Sequence, residues 1–97
     1  MIIVHDIFIC KPGNASKLAK KFKEAMAGNS ELINIMTDMT GQFNKVVMVS
    51  KYESLTAYEK SWEKYKENTP EMKKIEEGMA GYQEMYLTGS REIFQTW

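Results

Sequence analysis

His5 is the single histidine of the chain, and it stands inside a run of β-branched and aromatic residues, Ile2-Ile3-Val4-His5-Asp6-Ile7-Phe8-Ile9. An imidazole changes charge near neutral pH, so His5 is the first candidate for a proton carrier or for a donor to a substrate carbonyl. The competing role is a histidine hydrogen-bonded within a sheet or an interface. Asp6 follows directly. Neighbours on a strand point to opposite faces, so His5 and Asp6 cannot form a side-by-side dyad. A carboxylate in the middle of an apolar strand needs a partner, because burying it alone is very costly. Arg91 or a lysine is expected to supply one, which makes a structural ion pair the first reading of Asp6. Cys10 is a further ~16 Å along the strand from His5, at ~3.3 Å per residue, so no Cys–His nucleophile follows. One cysteine and one histidine are too few nitrogen and sulfur ligands for a zinc site. The six glycines are scattered at turns and form no phosphate-cradling loop. No metal and no cofactor is expected.

A second group of candidates is aromatic. Leu55, Tyr58, Trp62 and Tyr65 recur at three- and four-residue spacing, the signature of one helical face, where core packing is the default role. Lys17, Lys20, Lys21 and Lys23 form a basic helix face, but no surface aromatics interleave with them, so a solvated face is expected rather than a nucleic-acid site. The 13 basic and 13 acidic side chains cancel, and no overall field favours nucleic acid or an anionic membrane. Eight methionines, Met48 among them, give an adaptable apolar interior that suits a hydrophobic ligand and a core equally. The longest apolar run is too short to span a bilayer, and the N-terminus shows no secretory pattern. A lone cysteine fits a reducing cytoplasm.

The elements that must position these residues follow from period and punctuation. Residues 2–10 read as a strand, and Lys11-Pro12-Gly13-Asn14 as a turn with Asn14 capping the next helix. Ala15, Leu18, Ala19, Phe22, Ala25 and Met26 make the apolar stripe of that helix, which Gly28-Asn29 stops. Strands are expected over 31–39 and 45–52, joined by a hairpin loop at Thr40-Gly41-Gln42-Phe43-Asn44. Ser54 caps a second helix, Thr69-Pro70 breaks it, and a shorter helix presents Met72, Ile75 and Met79. A last extended region runs from Tyr82 to Trp97, with a bulge or turn at Gly89-Ser90. The order β-α-β-β-α-β in one domain, residues 1–97, is an α+β ferredoxin-like plait with an antiparallel sheet and both helices on one face.

That arrangement leaves one sheet face without helices. Whichever alternating sets face the helices, a group of large apolar side chains from 2–10, 31–39 and 45–52 stays on the other side. Covering them is worth ~10–20 kcal/mol gross at ~1.5–3 kcal/mol per side chain. Association costs of ~4–15 kcal/mol are set against it. A symmetric homodimer with sheets face to face is therefore expected.

The strand running into Lys11-Pro12-Gly13, the amphipathic helix with Phe22, Val46-Val47-Met48-Val49 leading through Tyr52-Glu53-Ser54-Leu55 to a Tyr58/Trp62 helix, and the terminal Gly89-Ser90-Arg91-Glu92-Ile93-Phe94 segment together resemble the dimeric α/β-barrel superfamily. The nearer branches are NIPSNAP-type proteins and antibiotic-biosynthesis-monooxygenase-like domains. The resemblance covers nearly the whole chain and contains no diagnostic catalytic motif. It implies a ferredoxin-like protomer, two protomers closing into an α/β barrel, and a pocket between sheet and helices. It places His5 where haem-degrading relatives carry an asparagine. It places Trp62 where oxygenases often keep a pocket tryptophan. The histidine that haem degradation needs later in the chain is absent around Ile75-Glu76-Glu77, which argues against that activity. The implied enzyme is a cofactor-independent monooxygenase acting on a small hydrophobic or aromatic substrate. Trp62 would stack on the ring, His5 would orient a carbonyl or phenol and Arg91 would stabilise negative charge, with Tyr52, Tyr58 and Met48 as substrate contacts. The alternative is a NIPSNAP-type binding or interaction module without turnover. Fold alone does not decide between them.

Overall fold

A computed structural model describes the whole chain, residues 1–97. Strand β1 spans Ile2–Cys10, helix α1 Ala15–Ala25, β2 Leu32–Thr37, β3 Lys45–Tyr52, helix α2 Leu55–Lys64, helix α3 Pro70–Met79 and β4 Tyr86–Gln95, with one 3-10 turn at Tyr82–Glu84 before the last strand. The four strands form one antiparallel sheet in the order β2-β3-β1-β4. This is the expected plait, with the second helical segment divided in two. No helix is long and apolar enough to cross a membrane.

The local signals act largely as their chemistry dictates. The Ser54 hydroxyl accepts from the Ala57 amide at 3.1 Å and starts α2, and the Thr69 hydroxyl accepts from the Met72 amide at 3.2 Å and starts α3 at Pro70. Asn14 behaves differently: its side chain makes no capping bond. The turn before α1 is closed instead by the Asn14 amide donating to the Lys11 carbonyl at 3.0 Å, with Gly13 at φ 84°. β2 is shorter than expected and ends at Thr37; the Asp38 amide still donates to the Lys45 carbonyl at 3.1 Å, and the Asp38 side chain organises the hairpin. Its carboxylate accepts from the amides of Thr40, Gly41 and Gln42 and pairs with Lys45 at 3.2 Å. Those backbone hydrogen bonds, helped by Lys45, hold its pKa down at about 2. The expected interruption at Gly89-Ser90 does not occur. β4 continues through both residues, and the irregularity falls between Ile9 and Cys10, where the partners change from Thr88 to Tyr86.

Register assigns the faces. Ile2, Val4, Asp6, Phe8 and Cys10 of β1 lie toward the helices, beside Tyr52, Ser50, Met48 and Val46 of β3 and beside Ile93 and Arg91 of β4. The core on this side has two parts. Cys10, Leu18, Phe22 and Val46 gather under α1, while Ile2, Val4 and Tyr58 gather under α2. α3 packs on α1 rather than on the sheet and buries no residue fully. The two helices come close at Gly78, where a Cβ would stand 3.0 Å from the Ala25 Cβ. The opposite face carries Ile3, His5, Ile7 and Ile9 with Val47, Val49, Met36 and Phe94, and no helix covers it.

Candidate functional site

The gap between the two parts of the core is a cavity of about 290 Å³ between the sheet and the helices. Its floor is the helix-facing side of the sheet, with Asp6, Phe8, Met48, Ser50, Tyr52 and Arg91. Tyr58, Trp62 and Tyr65 come down from α2 and its C-terminal end, and Ile75, Glu76 and Met79 from α3. It continues into a larger groove of about 800 Å³ between the end of α1 and α3, and Met26, Asn29, Glu31, Tyr52 and Tyr65 are among the residues that line both.

The aromatic wall is continuous. Ring centroids of Tyr52 and Tyr58 are 5.0 Å apart, those of Tyr58 and Trp62 6.0 Å, and those of Trp62 and Tyr65 6.3 Å, all edge to face. This follows from sequence spacing. Three- and four-residue steps along α2 set Tyr58, Trp62 and Tyr65 on one stripe, and Ser54 fixes where the stripe begins.

Arg91 lies against that wall. Its guanidinium carbon is 5.0 Å from the Trp62 ring centre and 5.8 Å from that of Tyr58, and its Nε donates to Asp6 Oδ1 at 2.5 Å. Asp6 and Arg91 are cross-strand partners on the same face of β1 and β4, so the pair is fixed by sheet register. Partial burial works against the arginine charge as the largest single influence, yet the Asp6 hydrogen bond and charge together with the tyrosines outweigh it and raise its pKa. Burial pushes the phenols of Tyr58 and Tyr65 up, so both remain hydroxyls at neutral pH. The Tyr58 hydroxyl is shielded from solvent and has no hydrogen-bond partner; the Arg91 charge, and after it the Trp62 indole, work against the effect of burial on its pKa without reversing it. Ser50, buried on the floor, also has a hydroxyl without a partner in the chain, unlike Ser54 and Ser61.

The structure thus brings Trp62, Arg91, Tyr52, Tyr58 and Met48 to one cavity. It does not bring His5 there. His5 is on the opposite face, paired with Val49 and Glu92, and its ring meets Phe94 edge-on at 5.2 Å. The arrangement in which His5 and Trp62 touch the same molecule is corrected by strand alternation: the side of β1 that presents Asp6 turns His5 away. Sequence reading missed Ser50, Asp6 and Tyr65 as cavity residues. Parity was the available signal, since Ser50 shares its face with Met48 and Tyr52. Cys10 is buried under α1, and burial raises its thiol pKa, as for an inert core thiol. No cluster of three or more histidine, cysteine or carboxylate side chains is placed to hold a metal.

The NIPSNAP family model matches residues 7–87. The chain belongs to the NIPSNAP family. Solved structures agree at the level of fold. A NIPSNAP family protein from Agrobacterium tumefaciens superposes with TM-score 0.78 at 15% identity, over 97% of this chain and 90% of that one. An uncharacterised NIPSNAP-like domain protein from Burkholderia xenovorans gives TM-score 0.76 at 19% identity, over 99% and 84%. A candidate antibiotic biosynthesis monooxygenase from Chloroflexus aurantiacus gives 0.67 at 8% identity, over 99% and 92%. No curated protein matches the sequence. This NIPSNAP chain therefore shares its plait with monooxygenase-like proteins, at identities that speak for the fold alone.

Proposed function

We propose that this NIPSNAP protein is a homodimeric binding module whose cavity between sheet and helices takes one small aromatic molecule. The carrying observation is the Tyr52–Tyr58–Trp62–Tyr65 wall facing a floor that holds the Asp6–Arg91 pair. A cavity of about 290 Å³ is at the lower end of small-molecule sites and fits a one- or two-ring ligand. Flat rings gain most from such a wall, because edge and face contacts add to simple burial. The bare sheet face supports the dimer. Ile3, Ile7, Ile9, Met36 and Phe94 are a contiguous apolar surface that soluble monomers seldom leave wet.

The test is protein-observed NMR with single-ring aromatics, read at the Trp62 indole N–H, alongside light scattering for mass. Saturable shifts at Trp62 and a mass of two chains support the proposal. A flat titration at millimolar ligand removes the pocket, and a folded species of single-chain mass removes the dimer. A monooxygenase-like turnover is the second reading. It is favoured by Trp62 and Arg91 meeting over the cavity, where Arg91 would stabilise an oxyanion on the substrate. Oxygen uptake with anthrones and quinols checks it, and uptake unchanged by Trp62→Ala and Arg91→Ala sinks it. His5 has no part in that cavity. It is reserved for the dimer face.

A further inference from the structure

We infer that the cavity selects a protonated amine on an aromatic body over the matching neutral or acidic molecule. This inference rests on the proposed binding role and sharpens it to a ligand class.

Three observations carry it. First, charge: the carboxylates lining the cavity are Asp6, Glu31 and Glu76, and the sole cation is Arg91. Arg91 is engaged by Asp6, and Glu31 and Glu76 make no ion pair, although Lys64 and Lys74 line the adjoining groove together with Glu24, Glu71 and Glu77, so acidic groups outnumber basic ones in both spaces. Second, the wall: the faces of tyrosine and tryptophan rings are the negative ends of their quadrupoles and attract cations. The protein already uses that property, because the Arg91 guanidinium lies over Trp62 and Tyr58. Tyr52 and Tyr65 extend the same surface with no cation of the protein over them. Third, two hydroxyls at the cavity lack a partner in the chain, that of Tyr58, which is buried, and that of Ser50, which is open to the cavity. Ser50 is 7% exposed and Tyr58 9% exposed, and both residues line the cavity. A hydroxyl can accept from an ammonium or donate to a carbonyl, so Ser50 suits a polar ligand without fixing its sign. The surrounding charge fixes it. At Tyr65 the ionic neighbours are Glu31 and Asp6, and both oppose a further negative charge there, whereas at Tyr58 Arg91 outweighs Asp6, so the cation-favouring end of the cavity is the one at Glu31 and Tyr65. The end of α1 from Met26 to Asn29 also borders the cavity and groove, and the C-terminal pole of a helix favours a cation.

In this geometry the ammonium group takes the Glu31 and Glu76 side, where Ser50, paired across the sheet with Leu32, offers a hydroxyl acceptor. The ring lies along Tyr52, Met48 and Ile75. No bond is made or broken.

The experiment compares three molecules of one shape: 2-phenylethylamine, 2-phenylethanol and 3-phenylpropionate. Each is titrated into the full chain at pH 7 and low salt and followed at the Trp62 indole resonance. The expected result is amine binding about tenfold tighter than the alcohol, the acid weakest, and the preference shrinking in salt. Glu31→Gln/Glu76→Gln should abolish the preference, bringing the amine and alcohol affinities to within about twofold of each other, and a preference kept in full by this variant overturns the amine inference. Both residues are on the surface side of the cavity, so the variant should fold, and far-UV circular dichroism confirms it. Equal affinity for amine and alcohol, or tighter binding of the acid, overturns the amine inference and leaves the aromatic pocket standing. Failure of all three molecules to move the Trp62 resonance overturns both.

Discussion

The Asp6–Arg91 pair gives the sharpest test of the site's construction. The Asp6 side chain is 14% exposed, and Arg91 Nε at 2.5 Å is its one ionic partner. Removing Arg91 leaves that carboxylate behind in a partly dry site. For fully buried pairs such a break costs ~3–5 kcal/mol. The Arg91 side chain is 43% exposed, so water reaches the vacated place and screens Asp6. A cost of about 2 kcal/mol follows for Arg91→Ala, of which the lost stacking on Trp62 and Tyr58 supplies ~0.5–1 kcal/mol. The converse change is milder, because Arg91 can turn toward solvent. Asp6→Ala should cost about 1 kcal/mol. The double variant should lose little more than Arg91→Ala alone, which gives a coupling of about 1 kcal/mol in a double-mutant cycle. Urea unfolding at one fixed protein concentration measures all four proteins, since association makes apparent stability depend on concentration. Single effects that add to within ~0.3 kcal/mol would refute the claim that the two side chains hold each other.

Other outcomes follow from single features. Phe22 is fully buried where α1 meets the sheet, in ring contact with Phe8 and Tyr82; Phe22→Ala should cost ~3–5 kcal/mol by urea unfolding, a large part of a small domain's stability. Gly78→Val should unseat α3 from α1, because even a Cβ would meet Ala25 at 3.0 Å; amide exchange in α3 should rise well before global unfolding, and unchanged protection there would remove this account of the α1–α3 contact. The carboxyl of Asp38 has a folded pKa of about 2, below the ~3.9 of an unfolded aspartate, so it stabilises the fold above pH ~4 and loses that contribution as pH falls through about 2. The stability difference between the natural chain and Asp38→Asn should therefore be full at pH 6 and fade between pH 4 and 2; a difference independent of pH would show that the charge is irrelevant. Ile7→Glu on the bare sheet face should yield a folded single-chain species by light scattering if that face joins two copies, and a folded dimer from this variant would move the interface elsewhere.

The legible parts of the fold are those decided locally. β3 occupies residues 45–52 because a β-branched run is bounded by turn chemistry, and α2 and α3 begin where Ser54 and Thr69 supply their hydroxyls. The pairing of Asp6 with Arg91 was also accessible, since an unpaired carboxylate on an apolar strand has few solutions. What stayed hidden depends on register between distant segments. The bulge at Cys10 rather than Gly89 is set by how β4 meets β1, which no local residue announces. The same holds for the site. Alternation separates His5 from Asp6 at once, but which of them faces the helices is settled only by where Val4 and Phe8 find the cores beneath α2 and α1.

The division of the core explains why a chain of this size keeps a cavity at all. α1 buries Leu18 and Phe22 against the sheet, and α2 buries Tyr58. The two helices barely touch, because α3 takes the flank of α1. A continuous core would need apolar side chains where the chain instead places Asp6, Ser50 and Arg91. Each of these is less favourable to bury than a valine would be, and one of them requires a partner on another strand. Selection for stability alone would fill that space. Its polar floor and aromatic wall are what a small molecule would need, and they make the cavity the place where this NIPSNAP fold has room for chemistry or recognition.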